Sequence, residues 1–258
     1  MDLNLIGKNA LVCGSSQGIG FAAAQEIALL GANVILFARN EISLKEAMLK
    51  LDTSKGQQHN FLVADFNETE AVKNVVEQEN EFHILVNNTG GPAGGLAIDA
   101  DESEFLKAFS SHLVNNQNLV KAIVPFMKKE GYGRIINIVS SSVKAPIAGL
   151  GVSNTIRGAV NSWAKTLSSE LGQFGITVNN VLPGSTETGR IYDLINNIAT
   201  RQGKTPEEIE KNMRSQIPAG RFAETSEVGS AVAFLASPVA GYISGISLMV
   251  DGGRTNCL

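Results

Sequence analysis

Seven short apolar runs, each followed by a stretch with helical signals, constrain this 258-residue chain more tightly than any single motif. The runs are residues 10–13, 33–37, 61–64, 84–86, 135–139, 177–181 and 246–250. Most are continuous rather than alternating, the pattern of parallel strands buried on both faces. Parallel neighbours need crossover connections, and the intervening helical stretches supply them with right-handed sense. The expected fold is α/β, a doubly wound, mostly parallel seven-stranded sheet with helices on both faces, in a single domain over residues 1–258. Asn67-Glu-Thr-Glu70 and Thr205-Pro-Glu-Glu208 read as capping boxes, the second with proline at the first helical position. Gly31 closes the first helix, and Gly172 and Gly175 close the long helix before Ile176. Residues 184–221 form the one irregular zone. They are polar, proline-punctuated and too long for an ordinary connection, and so read as a lid over a site.

Charge and composition exclude several functions. The net charge of −4 offers no basic field to attract nucleic acid or an anionic membrane. The low charged fraction, 18%, suits a sheet covered on both faces. Cys13 and Cys257 make no disulfide framework, which points to a reducing compartment. The first residues carry Asp2 and no long apolar run, unlike a signal peptide, and the uncharged stretch 9–25 is broken by glycines, unlike a membrane span. A cytoplasmic protein is expected. His59 and His83 have no metal-ligand spacing with each other or with cysteine, so no metal site is expected. Ser140 sits in no GxSxG elbow, which argues against a hydrolase built on it with His112.

Gly14-Ser-Ser-Gln-Gly18-Ile-Gly20 matches GxxxGxG, a spacing that is weak alone. Here it joins the first strand to an alanine-rich helix. At such a turn glycines let the backbone approach a dinucleotide's phosphates, while the helix N-terminus presents free N–H groups and a positive dipole end. A nicotinamide dinucleotide is the expected ligand. The end of the second strand reads the adenine ribose, where an acid selects NAD and an arginine accommodates the 2′-phosphate of NADP. Arg39 stands there, with no acid before Glu41, which favours NADP(H) over NAD(H).

Together these features resemble the short-chain dehydrogenase/reductase family, closest in flavour to its β-ketoacyl-carrier-protein-reductase-like branch. Gly14–Gly20 is similar to the family's TGxxxGIG, with Cys13 in the threonine place. Leu85-Val-Asn87-Asn88-Thr89-Gly90 resembles LVNNAG, Gly133 to Ser140 resembles GRIVNISS, and Ile176 to Gly184 resembles GIxVNxxxPG. Ser244 to Gly253 is close to TGxxxxVDGG. The resemblance implies a Rossmann-type single domain that assembles as a homodimer or homotetramer and acts on a small molecule. It implies cofactor contacts from Ser15, Ser16 and Ile19 on the glycine turn and from Asp65 at the adenine. Asn88, Gly90, Arg157, Pro183, Gly184 and Thr188 complete the expected cofactor set. Trp163, Val160, Leu167 and Leu171 form an apolar stripe on the long helix, either core or the family's dimer interface.

The catalytic positions depart from the family's Asn, Ser, Tyr and Lys. Ser140 keeps the serine, but Ser153 and Arg157 stand where YxxxK belongs, and His112 stands in the asparagine place. Serine is a far weaker acid than tyrosine, and arginine stays charged and cannot relay protons. Histidine, with a reference pKa near 6.5, could exchange a proton at cellular pH. The leading expectation is an NADP-dependent oxidoreductase of a small carbonyl or alcohol, with Ser140, Ser153, Arg157 and His112 as an altered catalytic set. Aldol-type or dehydratase chemistry in the same cleft, and a catalytically silent nucleotide-binding protein, are the alternatives.

Overall fold

The computed structural model describes residues 1–257. The strands are β1 (Asn9–Cys13), β2 (Asn33–Ala38), β3 (Asn60–Val63), β4 (Ile84–Asn87), β5 (Gly133–Ile138), β6 (Ile176–Pro183) and β7 (Ser247–Val250). They form one sheet in the order β3-β2-β1-β4-β5-β6-β7, and every pairing is parallel. Each strand boundary lies within two residues of the expected run. Continuous apolar runs became strands because both faces are covered: every residue of β4 and β5 is buried. Leu11, Leu85 and Ile135 face one core with Val72 and Ile123, and Val12, Val86 and Ile136 face the other with Ile27 and Val232.

The helices are α1 (Gly18–Leu29), α2 (Glu41–Met48), α3 (Thr69–Gln78), α4 (Glu102–Phe109), α5 (Asn115–Glu130), α6 (Gly151–Leu171), α7 (Gly189–Gln202), α8 (Pro206–Ser215) and α9 (Thr225–Ala236). Gly229 of α9 lies so close to α1 that a Cβ would meet the Ala22 carbonyl oxygen at 2.8 Å. That contact holds α1 down on the sheet. The apolar stripe of α6 packs inward, with Trp163 partly buried against the core and its indole N–H donating to Gln117 Oε1 at 2.8 Å. No helix among the described residues is long and apolar enough to cross a membrane.

Two local expectations are corrected. Asn67 does not cap α3, whose first turn begins two residues later; its backbone and side-chain amides both donate to Asp65 Oδ1 at 2.9 Å. The Thr205 box forms as expected, with Glu208 reaching back. The zone 184–221 is not irregular. It is mostly the helix pair α7–α8, closed over its own small core of Ile191, Ile195, Ala199, Ile209, Ile217 and Phe222. Its polar composition reflects two amphipathic helices that bury one face each.

The sheet grows outward from β1 to β3 and then restarts beside β1 with β4. Strand order therefore reverses between β1 and β4, and the crevice at their carboxyl ends is where such sheets bind ligands. Beneath it runs a polar ladder in register across three strands. Asn87 Nδ2 donates to Asn137 Oδ1 (2.8 Å) and Asn137 Nδ2 to Asn180 Oδ1 (3.0 Å). Asn180 Nδ2 donates to Asn161 Oδ1 on α6 at 3.0 Å, and Ser247 Oγ donates to the same oxygen at 2.6 Å. Replacing Asn137 with leucine strands a buried donor on Asn87 and a buried acceptor on Asn180. At about 1–3 kcal/mol for each orphan, the variant is expected to lose roughly 2–5 kcal/mol in urea unfolding, with an unchanged m-value.

Candidate active site

The glycine turn leaves β1 at the strand-order reversal and enters α1. A Cβ on Gly14 would fall 2.5 Å from the Asn88 carbonyl oxygen, and one on Gly20 would collide with the Gly14 carbonyl. Asn88, just past β4, donates its side-chain amide to the carbonyls of Cys13 (3.3 Å) and Gly14 (3.2 Å). The turn is thus clamped against β4, and only glycine fits the clamp. At its far end, Gln17 is the N-cap of α1 without a side-chain cap, and the first turn carries no acid. The leading N–H groups of α1 face the crevice as an anion cradle, which fits a dinucleotide's diphosphate.

The crevice opens into a cleft of about 1800 Å³. Small-ligand pockets run to roughly 300–1,000 Å³, so the volume accommodates a dinucleotide and a second molecule together. The cleft is lined at one end by Gly14, Ser16, Gly18, Ile19 and Arg39, and further in by Asn88, Thr89 and Gly90. Ser140, Ser153, Arg157, Pro183, Gly184 and Thr188 line its other walls. Most of the expected site residues therefore meet in one place, each at the carboxyl end of a strand or on the helix that follows. Ser15 is an exception. Its fully buried hydroxyl donates to the Val12 carbonyl (2.6 Å) and accepts from the Phe37 N–H (2.9 Å), so this side chain builds the turn rather than facing a ligand. Gly20 and Asp65 stand behind the wall. Asp65 approaches Arg39 at 4.0 Å; the Arg39 side chain is largely open to solvent and that of Asp65 only partly.

Ser140 ends β5 and accepts from the Ser142 N–H at 3.1 Å, which leaves its hydroxyl hydrogen free to donate. Ser153 and Arg157 lie one turn apart on the first turns of α6, on one face of the helix. Arg157 donates Nη1 to the Ile138 carbonyl at 2.8 Å. Its guanidinium has no carboxylate partner among the described residues. Burial, followed by the charge of Arg190, lowers its pKa to about 10.

His112 is not poised as expected. It sits in a π-turn (Ser110–Val114) that joins α4 to α5, a distortion often found at functional sites. The residue is 4% exposed and is not part of the cleft lining, with Nδ1 2.6 Å from Thr89 Oγ1 and no partner for Nε2 among the described residues. Burial first, then the charges of Arg157 and Arg190, push its pKa down to about 3. The imidazole is therefore neutral at cellular pH, and the expected exchange near 6.5 is displaced.

Two residues escaped the sequence reading. Thr89, hydrogen-bonded to His112, occupies the alanine place of LVNNAG, so its signal lay in a motif already quoted. Arg190, the second residue of α7, spans to the loop after β4 and donates to the carbonyls of Gly91 (3.0 Å) and Pro92 (3.2 Å). No motif marked it. No cluster of metal-ligating side chains occurs among the described residues.

Comparison with known proteins agrees with this geometry. A family model described as enoyl-(acyl carrier protein) reductase, of the short-chain alcohol dehydrogenase type, matches residues 14–255. The chain is 36% identical to the 3-oxoacyl-[acyl-carrier-protein] reductase of Haemophilus influenzae, over 96% of this chain and 98% of the relative. It is 33% identical to a tropinone reductase homologue of Arabidopsis thaliana, over 98% and 91% respectively. Among solved structures, L-sorbose reductase from Gluconobacter frateurii, complexed with NADPH and L-sorbose, superposes over the full length of both chains. The TM-score is 0.93 at 29% identity. The chain belongs to the short-chain dehydrogenase/reductase family and is an NAD(P)-dependent oxidoreductase by descent and by fold.

Proposed function

We propose that this protein is an NADP(H)-dependent reductase of a small carbonyl compound, reversible toward the alcohol, that protonates its product without a tyrosine. One observation carries the reading. The cofactor cradle is intact, while Thr89, Ser153 and Arg157, three departures from the family motifs, line one cleft and His112 bonds the first of them.

A nicotinamide bound in this cleft supplies hydride to a carbonyl carbon or accepts it from an alcohol. The chain's own part is to hold the oxygen, stabilise its growing charge and provide its proton. Ser140 has a free hydroxyl hydrogen, and Ser153 lines the same cleft. These hydroxyls hold the oxygen and pass it a proton, and solvent entering the open cleft restores theirs. Arg157 remains charged and stabilises the alkoxide by its field. Neutral His112 holds Thr89 in place rather than titrating. Arg39 supports the choice of NADP, since it lies at the end of β2 with a largely exposed guanidinium. The NADPH bound to the sorbose reductase is consistent with that choice.

Fluorescence titration is expected to give NADPH at least tenfold tighter binding than NADH, with the ratio collapsing or inverting in Arg39→Asp. With NADPH bound, consumption at 340 nm on a panel of small ketones and aldehydes should reveal turnover, and binding without turnover on any member would refute the reductase reading. Ser153→Ala should lower kcat by about 10²-fold, a typical contribution of a proton donor, while leaving the Kd for NADPH unchanged.

The pH dependence follows from His112. An unfolded histidine titrates near 6.5, whereas the folded value is depressed to about 3. The unfolded chain therefore binds a proton that the folded chain refuses. The associated stability is present above pH 6.5 and is lost as pH falls toward 3, at about 1.4 kcal/mol per pH unit. His112→Asn should flatten this part of the stability profile between pH 6 and 4, and the wild-type His112 ring resonances should not shift between pH 8 and 5.

A further inference from the structure

We propose that the cleft binds a substrate carboxylate, held by the guanidiniums of Arg157 and Arg190. The inference rests on the reductase reading and narrows its substrate class from any small carbonyl compound to one that carries a carboxylate.

The charge inventory is the first observation. The chain is net negative, at −4, yet it lines its cleft with Arg39, Lys107, Arg157, Arg190, Arg201 and Arg254 against only Glu104 and Glu187. Glu187 is already engaged by Arg214 at 3.1 Å. Arg39 lies at the adenine end, and Arg254 is tied to Ser185 Oγ (3.1 Å) and Gln216 Oε1 (3.3 Å). The diphosphate has its own cradle at α1. Among the described residues, Arg157 and Arg190 line the cleft without a carboxylate partner, Arg157 partly buried and Arg190 exposed.

Donor geometry is the second observation. Arg157 uses one nitrogen on a backbone carbonyl, and Arg190 uses its two terminal nitrogens on Gly91 and Pro92. A guanidinium offers five N–H donors in a planar fork, so each retains donors suited to the two oxygens of a carboxylate. Lysine in place of Arg157 would offer a point charge without that fork. Arg190 also stands in the first turn of α7, which has no side-chain cap and no acid, so the helix end adds to the positive field. The charge of Arg190 makes Arg157 a weaker base, an unfavourable pairing that a bound anion relieves. His112 has lost its charge rather than add a third.

A cofactor phosphate is the other possible anion, and the test separates the two. Ketones cannot be reduced on protein loaded with NADP⁺, so binding is read without turnover. Calorimetric titration of NADP⁺-loaded protein compares 5-oxogluconate with L-sorbose, the same ketose with and without a terminal carboxylate, and pyruvate with methyl pyruvate. The expected result is at least tenfold tighter binding of the carboxylate in at least one pair, falling to twofold or less in Arg190→Gln and in Arg157→Gln. Equal affinities within both pairs would overturn the inference, as would a preference that survives both substitutions. A tenfold loss of NADP⁺ affinity in Arg190→Gln with the carboxylate preference intact would assign this cation to the cofactor and also overturn it. Failure of NADP⁺ to bind wild-type protein would instead refute the reductase reading, and the same ketone pairs titrated into cofactor-free protein would still measure the anion preference.

Discussion

The clamp of Asn88 on the glycine turn is the joint on which the site depends. Parallel strands β1 and β4 are neighbours only because the chain changes direction across the sheet there, so nothing in local sequence brings residues 14 and 88 together. Once adjacent, the Asn88 amide reaches the carbonyls of Cys13 and Gly14, and both chains come too close for a side chain at Gly14 or Gly20. The orientation of α1, and with it the anion cradle at its N-terminus, follows from this contact. So does the position of Thr89, the next residue along, and through Thr89 that of His112.

Below the clamp, the Asn87–Asn137–Asn180 ladder fixes the register of the three strands whose ends carry Asn88, Ser140 and Gly184. A ladder of amides is an unusual way to fill a sheet interior, because each member is stable only while its neighbours are present. Its effect is geometric: an apolar stack would tolerate small slips between strands, whereas paired amides do not. The residues at the strand ends are therefore held at fixed spacing in a cleft whose other side, α7–α8, rests on a separate small core.

Most of the fold was legible in the sequence because the signals that encode it are local and repeated. Continuous apolar runs predict parallel strands, and the order of those runs with helices between them predicts the sheet. The two misreadings have separate causes. Asn67 carries a good cap signal, but Asp65 outcompetes the helix for its amides. The zone 184–221 looked irregular because two short amphipathic helices bury so little apolar surface that composition hides them. In the site, motif positions located Ser140, Ser153, Arg157 and His112, but motif position says nothing about burial or field. Whether His112 titrates near 6.5 or near 3 depends on desolvation and on Arg190, which lies 78 positions along the chain and belongs to no motif.

The departures at the catalytic positions are physically coupled rather than independent losses. Arginine at position 157 places on the cleft wall a cation that stays charged, and serine at position 153 is smaller than a tyrosine would be. That fixed charge, with Arg190, penalises any further positive charge nearby. A histidine at position 112 is tolerated only because it is buried and neutral, and a neutral buried ring needs a hydroxyl partner, which Thr89 supplies where alanine could not. Thr89 and His112 are in contact, and Ser153 and Arg157 line the same cleft as the glycine turn. On the proposed reading, the cleft has exchanged a proton relay for a fixed positive charge. Such a charge favours a bound state or transition state that is more anionic than a simple ketone.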